Sequence, residues 1–190
     1  MENLVYDERL ENPTYELIHG EEVMQAQPSA NHSRITRNLS SIIWNYLKGK
    51  RCEVFLEMMV YFDEDNHYIP DLVIVCDSNK IKGSYIEGAP DLAVEILSPS
   101  TKKRDIGIKK EIYEKFGVKE YWIVRPKEKS IEVYHLRDGK FTLDDCYTVL
   151  EKEEEEALND KEKAEHKLTL KVSLYDDFEI DVKEVFEDVK

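Results

Sequence analysis

Residues 90–105, PDLAVEILSPSTKKRD, decide how the rest of the chain reads. An acid, Glu95, interrupts a run that is otherwise apolar from Leu92 to Leu97. A nearly continuous apolar run suits a central strand buried on both faces. A carboxylate inside it is costly unless a cation or hydrogen-bond donors meet it. The run breaks at Ser98-Pro99-Ser100, and an amphipathic stretch follows as far as Phe116, stopped by Gly117. The strand "EYWIV" comes next. Strand, helix and strand in succession argue for a mixed α/β sheet with helices packed on it.

The helix supplies the cation. At about 100° per residue, Ile106, Ile112, Tyr113 and Phe116 share an arc roughly 120° wide, with Lys109 near its centre. Lys110 falls about 100° away, at the polar margin. Lys109 therefore points toward the sheet, where lysine rarely sits without a partner.

Upstream, Asp71 opens the apolar stretch that follows Pro70. Two acids on neighbouring strands repel, and a divalent metal relieves that repulsion. Oxygen ligands suit Mg2+ or Mn2+ better than zinc. Either acid alone is explained as well by a strand-end cap or a salt bridge. An acid pair with an inward lysine is a constellation for phosphodiester hydrolysis.

Around this centre the chain reads as follows. "YELIHGEEVMQ" alternates apolar and polar residues about a His-Gly turn and predicts a hairpin over roughly residues 14–26. Ile35, Leu39, Ile42, Ile43, Tyr46 and Leu47 recur at helical spacing and end near Gly49. "CEVFLEMMVYF" reads as one strand, "YIPDLVIVC" as a second, and "DSNKIKGSYIEGA" as a polar connection between strands. "IEVYHL" and "FTLDDCYTVL" follow as further strands. Residues 151–166, nearly all charged, read as a solvated helix or loop inserted in a single domain spanning 1–190. The tail "DFEIDVKEVFEDV" closes the domain with a short helix.

The 190 residues carry a net charge of -14, with 41% hydrophobic and 10% aromatic residues. This is a globular composition that excludes a strong overall basic field, so a nucleic-acid partner must be met by a local patch. Cys52, Cys76 and Cys146 lie far apart and form no CxxC pair, which predicts reduced thiols and neither a zinc site nor a disulfide framework. No signal segment or apolar run of membrane length is present, so a cytoplasmic, soluble protein is expected.

Taken in order, "YELIHGE", "YIPDLVIVCD", "PDLAVEILSPST" and "RDIGIKKEIYEKFGVKEYWIV" resemble the Uma-type restriction endonucleases of the PD-(D/E)xK nuclease superfamily. The resemblance implies a restriction-endonuclease-like core: a mixed β-sheet flanked by helices, with a magnesium site at one end. It makes Asp71 and Glu95 the metal-holding acids. The superfamily's strand lysine would fall at position 97, which is Leu97 here. In this branch the following helix is held to supply it, and the D-x-x-x-K-x-x-x-Y pattern matches Asp105, Lys109 and Tyr113. The resemblance also carries Glu16 over as an accessory acid and His32 as a site residue.

The expectation is a metal-dependent endonuclease acting on DNA. Asp71, Glu95, Lys109, Glu16 and His32 are its site residues, and Lys102, Lys103 and Arg104 its phosphate contacts. The run "KGKR" at 48–51 is a second, weaker basic candidate. A homodimer suits the cutting of two strands. Plainer readings stand beside these: His32 as a capping or packing residue, Glu16 on an exposed strand face, Asp105 as a helix cap, and Tyr113 in the core. Two other functions compete. One is a binding or assembly module that keeps the fold without turnover. The other is a glycosidase using Asp71 and Glu95 as acid and base, which leaves Lys109 without a role.

Overall fold

The computed structural model describes residues 15–25, 27–98 and 105–190, with the backbone alone described at 105 and 106. Lys102, Lys103 and Arg104 lie outside the described residues, as does the side chain of Asp105.

The central sheet is built from β3 (Glu53–Leu56), β6 (Leu72–Val75), β9 (Leu92–Ile96), β10 (Glu120–Arg125), β11 (Ser130–Arg137) and β12 (Lys140–Thr148). Its order is β12-β11-β10-β9-β6-β3. β9 runs parallel to β10 and antiparallel to β6, so the sheet is mixed. All five residues of β9 are buried, which answers to its apolar sequence.

Alternation along the central strands divides the interior. Leu72, Ile74, Leu92, Val94 and Ile96 face one layer, with Ile35, Leu39 and Ile43 of helix α1 (Ala30–Leu47). Phe178, Val182 and Val185 from the C-terminal segment complete that layer. Val73, Val75, Ala93 and Leu97 face the other, with Ile112 and Tyr113 of α2 (Lys110–Phe116). Glu95 follows Ala93 and precedes Leu97 at the two-residue period of a strand, so it shares this second face.

The second layer is closed by another sheet. The predicted N-terminal hairpin forms as β1 (Tyr15–Ile18) and β2 (Glu21–Met24), with positive φ at both turn residues, His19 and Gly20. β4 (Met59–Asp63), β5 (Asn66–Tyr68), β7 (Ile81–Lys82) and β8 (Tyr85–Glu87) join it in the order β2-β1-β5-β4-β8-β7.

Several expectations change here. The single strand expected over "CEVFLEMMVYF" is two strands in different sheets. The chain breaks at Glu57, whose φ of 47° ends extended pairing. "YIPDLVIVC" likewise divides into β5 and β6 around Pro70, which has no N–H for a ladder. The stretch read as a polar connection contains the β7–β8 hairpin. Residues 151–166 contain two short exposed helices, α3 (Lys152–Ala157) and α4 (Asp160–Glu165), each started by a capping box. β13 (Thr169–Lys171) and β14 (Glu179–Asp181) pair as a small separate ribbon, and α5 (Val182–Val185) ends the fold.

The cysteines are a further correction. Glu53 pairs with Val75 across β3 and β6, so Cys52 falls opposite Cys76, and the two form a disulfide. The 24-residue separation hides in sequence what the register brings together. Cys146 is free. Among the described residues, no helix is long and apolar enough to cross a membrane.

Candidate active site

The register of β6 and β9 sets the site. Leu72 pairs with Val94, so the next pair outward is Asp71 with Glu95. Opposed residues of an antiparallel ladder point to the same face, about 5 Å apart at Cβ. Both acids therefore stand side by side on the face covered by α2. The Ile96 backbone N–H donates to Asp71 Oδ2 at 2.6 Å, so this carboxylate also completes the end of the ladder.

Lys109 arrives from above. It is the last residue of a π-helical turn, Asp105–Lys109, that leads into α2. Its Nζ donates to Glu95 Oε1 and Oε2 at 3.0 and 3.1 Å, and to Glu16 Oε1 at 2.7 Å. The same Glu16 oxygen accepts the Ile69 backbone N–H at 3.0 Å, which ties the hairpin to the residue preceding Pro70. Tyr113, one turn after Lys109, donates its hydroxyl to Glu95 Oε1 at 2.6 Å. Burial, and then the Glu95 carboxylate, hold the Tyr113 hydroxyl well above the usual tyrosine range, so it remains a donor. The Tyr68 ring lies 5.9 Å from Lys109 Nζ, and burial followed by Glu16 raises its hydroxyl too.

His32 stands at the first turn of α1, where Ser29 caps the helix by accepting its backbone N–H. Its Nε2 lies 2.8 Å from Asp71 Oδ1 and donates to it. Exposure falls along this constellation. The side chains of Asp71 and His32 are 17% and 12% exposed, while those of Glu95, Lys109 and Glu16 are 4%, 4% and 1%. Asp71 and His32 thus form the mouth, and the lysine with its two acids forms the floor.

All five side chains proposed from sequence meet here: Asp71–His32 as one pair, Glu95–Lys109–Glu16 as the other, joined at the Asp71–Glu95 rung. Glu16 lies in the buried floor, not on an exposed face. The His32 ring reaches Asp71 through Nε2, while its Nδ1 lies 3.5 Å from the Thr36 hydroxyl. Tyr113 is both a core residue and a ligand of Glu95, and its place four residues after Lys109 was the signal for that second role. Leu97 sits in the apolar layer, and Lys109 brings the lysine ammonium to the Glu95 carboxylate.

The donor set fits a hard divalent cation. Among the described residues no three Asp, Glu, His or Cys side chains converge as a metal cage. Mg2+ does not need one: it keeps several waters and is held by one or two carboxylates together with substrate phosphates. Asp71 and Glu95, both oxygen donors on one face, meet that requirement, with the Ile96 carbonyl on the same strand end.

A mixed sheet with helices on it and an N-terminal hairpin is the fold of restriction-endonuclease-like nucleases. The crystal structure of a "putative nuclease belonging to DUF820" from Anabaena variabilis shares it, with a TM-score of 0.70 over 94% of each chain at 22% identity. Residues 4–173 match the Uma2 family, described as "Putative restriction endonuclease", and the chain belongs to that family. It is also 31% identical over 141 residues to an uncharacterized protein of Synechocystis sp., covering 72% of this chain and 73% of that one. A second uncharacterized Synechocystis protein is 30% identical over 89 residues, covering 45% of this chain and 50% of its own.

Proposed function

We propose that this protein hydrolyses phosphodiester bonds in DNA, with Mg2+ or Mn2+ held by Asp71 and Glu95. The observation that carries the reading is Lys109. A buried ammonium is fixed by Glu95 and Glu16 at the foot of a second, more open acid.

When bound, the cation lowers the proton affinity of a water and neutralises charge on the phosphate oxygens. The chain's own groups do the rest. Glu16 and Glu95 hold Lys109 Nζ beside the reacting centre, where its charge offsets the negative charge that grows on phosphorus oxygens. Tyr113 fixes the Glu95 rotamer, and His32 fixes Asp71. Water oxygen bonds to phosphorus as the bond to the 3′ oxygen breaks in line. The water gives up a proton and the leaving oxygen gains one, leaving a 5′-phosphate. A homodimer acting in the cytoplasm, with Lys102, Lys103 and Arg104 on the phosphate backbone, completes the proposal.

The test is incubation with supercoiled, linear and single-stranded DNA in Mg2+ or Mn2+. Wild type is expected to cut, and Asp71→Ala and Lys109→Ala to lose at least about a hundredfold in rate, the scale of removing a transition-state electrostatic contact. Equal cleavage by all three proteins, or none by wild type, rejects the proposal and leaves a binding module on the same fold.

A further inference from the structure

The sheet face that carries the acid pair extends beyond it. Parallel register pairs Glu95 with Ile123, and antiparallel register pairs Ile123 with Glu132. Asp71, Glu95 and Glu132 therefore lie in one row, with Glu132 about 10 Å from Glu95 at two strand spacings. Arg125, two residues beyond Ile123, stands on the same face at the same end of the sheet.

Glu132 is fully engaged there. Arg125 Nε and Nη2 both lie on its Oε1, at 3.0 and 2.9 Å, and the Tyr134 hydroxyl donates to its Oε2 at 2.8 Å. Lys110, next to the pocket lysine, lays its Nζ 3.4 Å over the Tyr134 ring. The residue is partly buried, and among the described residues no carboxylate makes an ion pair with it. Burial holds it below the usual lysine range, against the opposing pull of Glu132 and Glu114. Arg125 is balanced by Glu132; Lys110 is a surplus positive charge that the fold partly desolvates.

We propose that Lys110 and Arg125 form a phosphate subsite, which grips a backbone phosphate of the nucleic acid flanking the one at Asp71 and Glu95. This rests on the nuclease reading above. Glu132 is a positioning residue: it occupies one edge of the guanidinium and turns the other outward. Tyr134 seats the ammonium on its ring face, and the N–H groups turned away from the ring are those that meet phosphate oxygens. A guanidinium fork beside an ammonium is a matched donor set for a phosphodiester.

The experiment is equilibrium binding of a short fluorescein-labelled duplex, read by anisotropy over a salt series with Ca2+ in place of Mg2+. Lys110→Met keeps an apolar side chain of similar length beside Tyr134 and removes the charge. It is expected to weaken binding about tenfold at low salt and to reduce the slope of log K against log salt by about 0.9, the value for one phosphate contact. Arg125→Lys keeps the charge, loses the fork and is expected to lose less. Lys161→Ala, on exposed α4, is the control and binds as wild type. Thermal melting of each variant shows that its fold is retained. An unchanged affinity and slope for Lys110→Met, or an equal loss for Lys161→Ala, overturns the subsite. The two proposals fail separately. Wild type that cuts DNA while Lys110→Met keeps its affinity removes only the subsite. Lys110-dependent binding without any Mg2+ cleavage upholds the subsite and removes the nuclease reading.

Discussion

Replacing Lys109 with methionine is the sharpest perturbation of the molecule, because the floor of the site is a charge balance. Two carboxylates, Glu16 and Glu95, share one ammonium, and all three side chains are at most 4% exposed. Lys109→Met keeps the stem's volume and leaves both acids facing an apolar group. Removing one partner of a buried ion pair costs about 3–5 kcal/mol. For a chain of this size that is a fall of about 10 °C in melting temperature. Glu16→Gln behaves differently. It leaves Glu95 and Lys109 as a balanced pair and keeps an amide oxygen for Ile69 N–H, so a cost of about 1 kcal/mol is expected. The double variant is then less destabilised than the sum of the singles, because with Lys109 gone the second acid is a liability. Urea unfolding at pH 7.5 of the four proteins in this double-mutant cycle measures the coupling, expected at about 1–3 kcal/mol. If Lys109→Met lies within 1 kcal/mol of wild type, or the two substitutions add, the balance described here does not exist.

Other outcomes follow from the same contacts. Tyr113→Phe removes a buried donor to a charged acceptor and is expected to cost about 1.5–3 kcal/mol in urea unfolding, while lowering cleavage less than Lys109→Ala does. His135 is held above its usual range of about 6.5, first by its interaction with buried Glu120, with burial opposing. A raised folded-state pKa gives stability that is fully present below the unfolded value and lost as pH rises through the folded value. The urea midpoint should therefore fall between pH 6 and pH 8 in wild type, and fall less in His135→Asn. Thiol titration of protein purified in air should find one reactive cysteine, Cys146, and three after reduction. Opening the loop between Cys52 and Cys76 should cost about 3 kcal/mol.

The inward turn of Lys109 was legible because Ile112, Tyr113 and Phe116 follow it at three, four and seven residues, all within regular α-helix. Ile106 lies in the wider π-turn and Lys109 closes it, so the arc from Lys109 onward kept its α-helical spacing. Asp71 and Glu95 were legible as interruptions of apolar runs. Their shared rung was not, since it depends on a register that periodicity cannot supply. Glu57 gave no warning: neither glycine nor proline, it takes a positive φ and sends the chain from one sheet to the other. The disulfide was invisible for the same reason as the rung. Lys110 sat correctly at the polar margin of its helix, yet its perch on Tyr134 comes from a strand that follows it in the chain.

The bridge from Glu16 to Lys109 has a consequence for the order of events during synthesis. The first acid is made early, and the lysine that completes the floor emerges only after β9. The contact also joins the second sheet to the helix lying on the first. Non-local closures of this kind come late, because loop entropy must be overcome before they are rewarded. Until the helix after β9 has been made, the nascent chain carries Glu16, Asp71 and Glu95 but not the ammonium that joins Glu16 to Glu95. On the nuclease reading proposed above, the centre is complete only once the two sheets have docked, and the onset of cleavage would report completion of the fold.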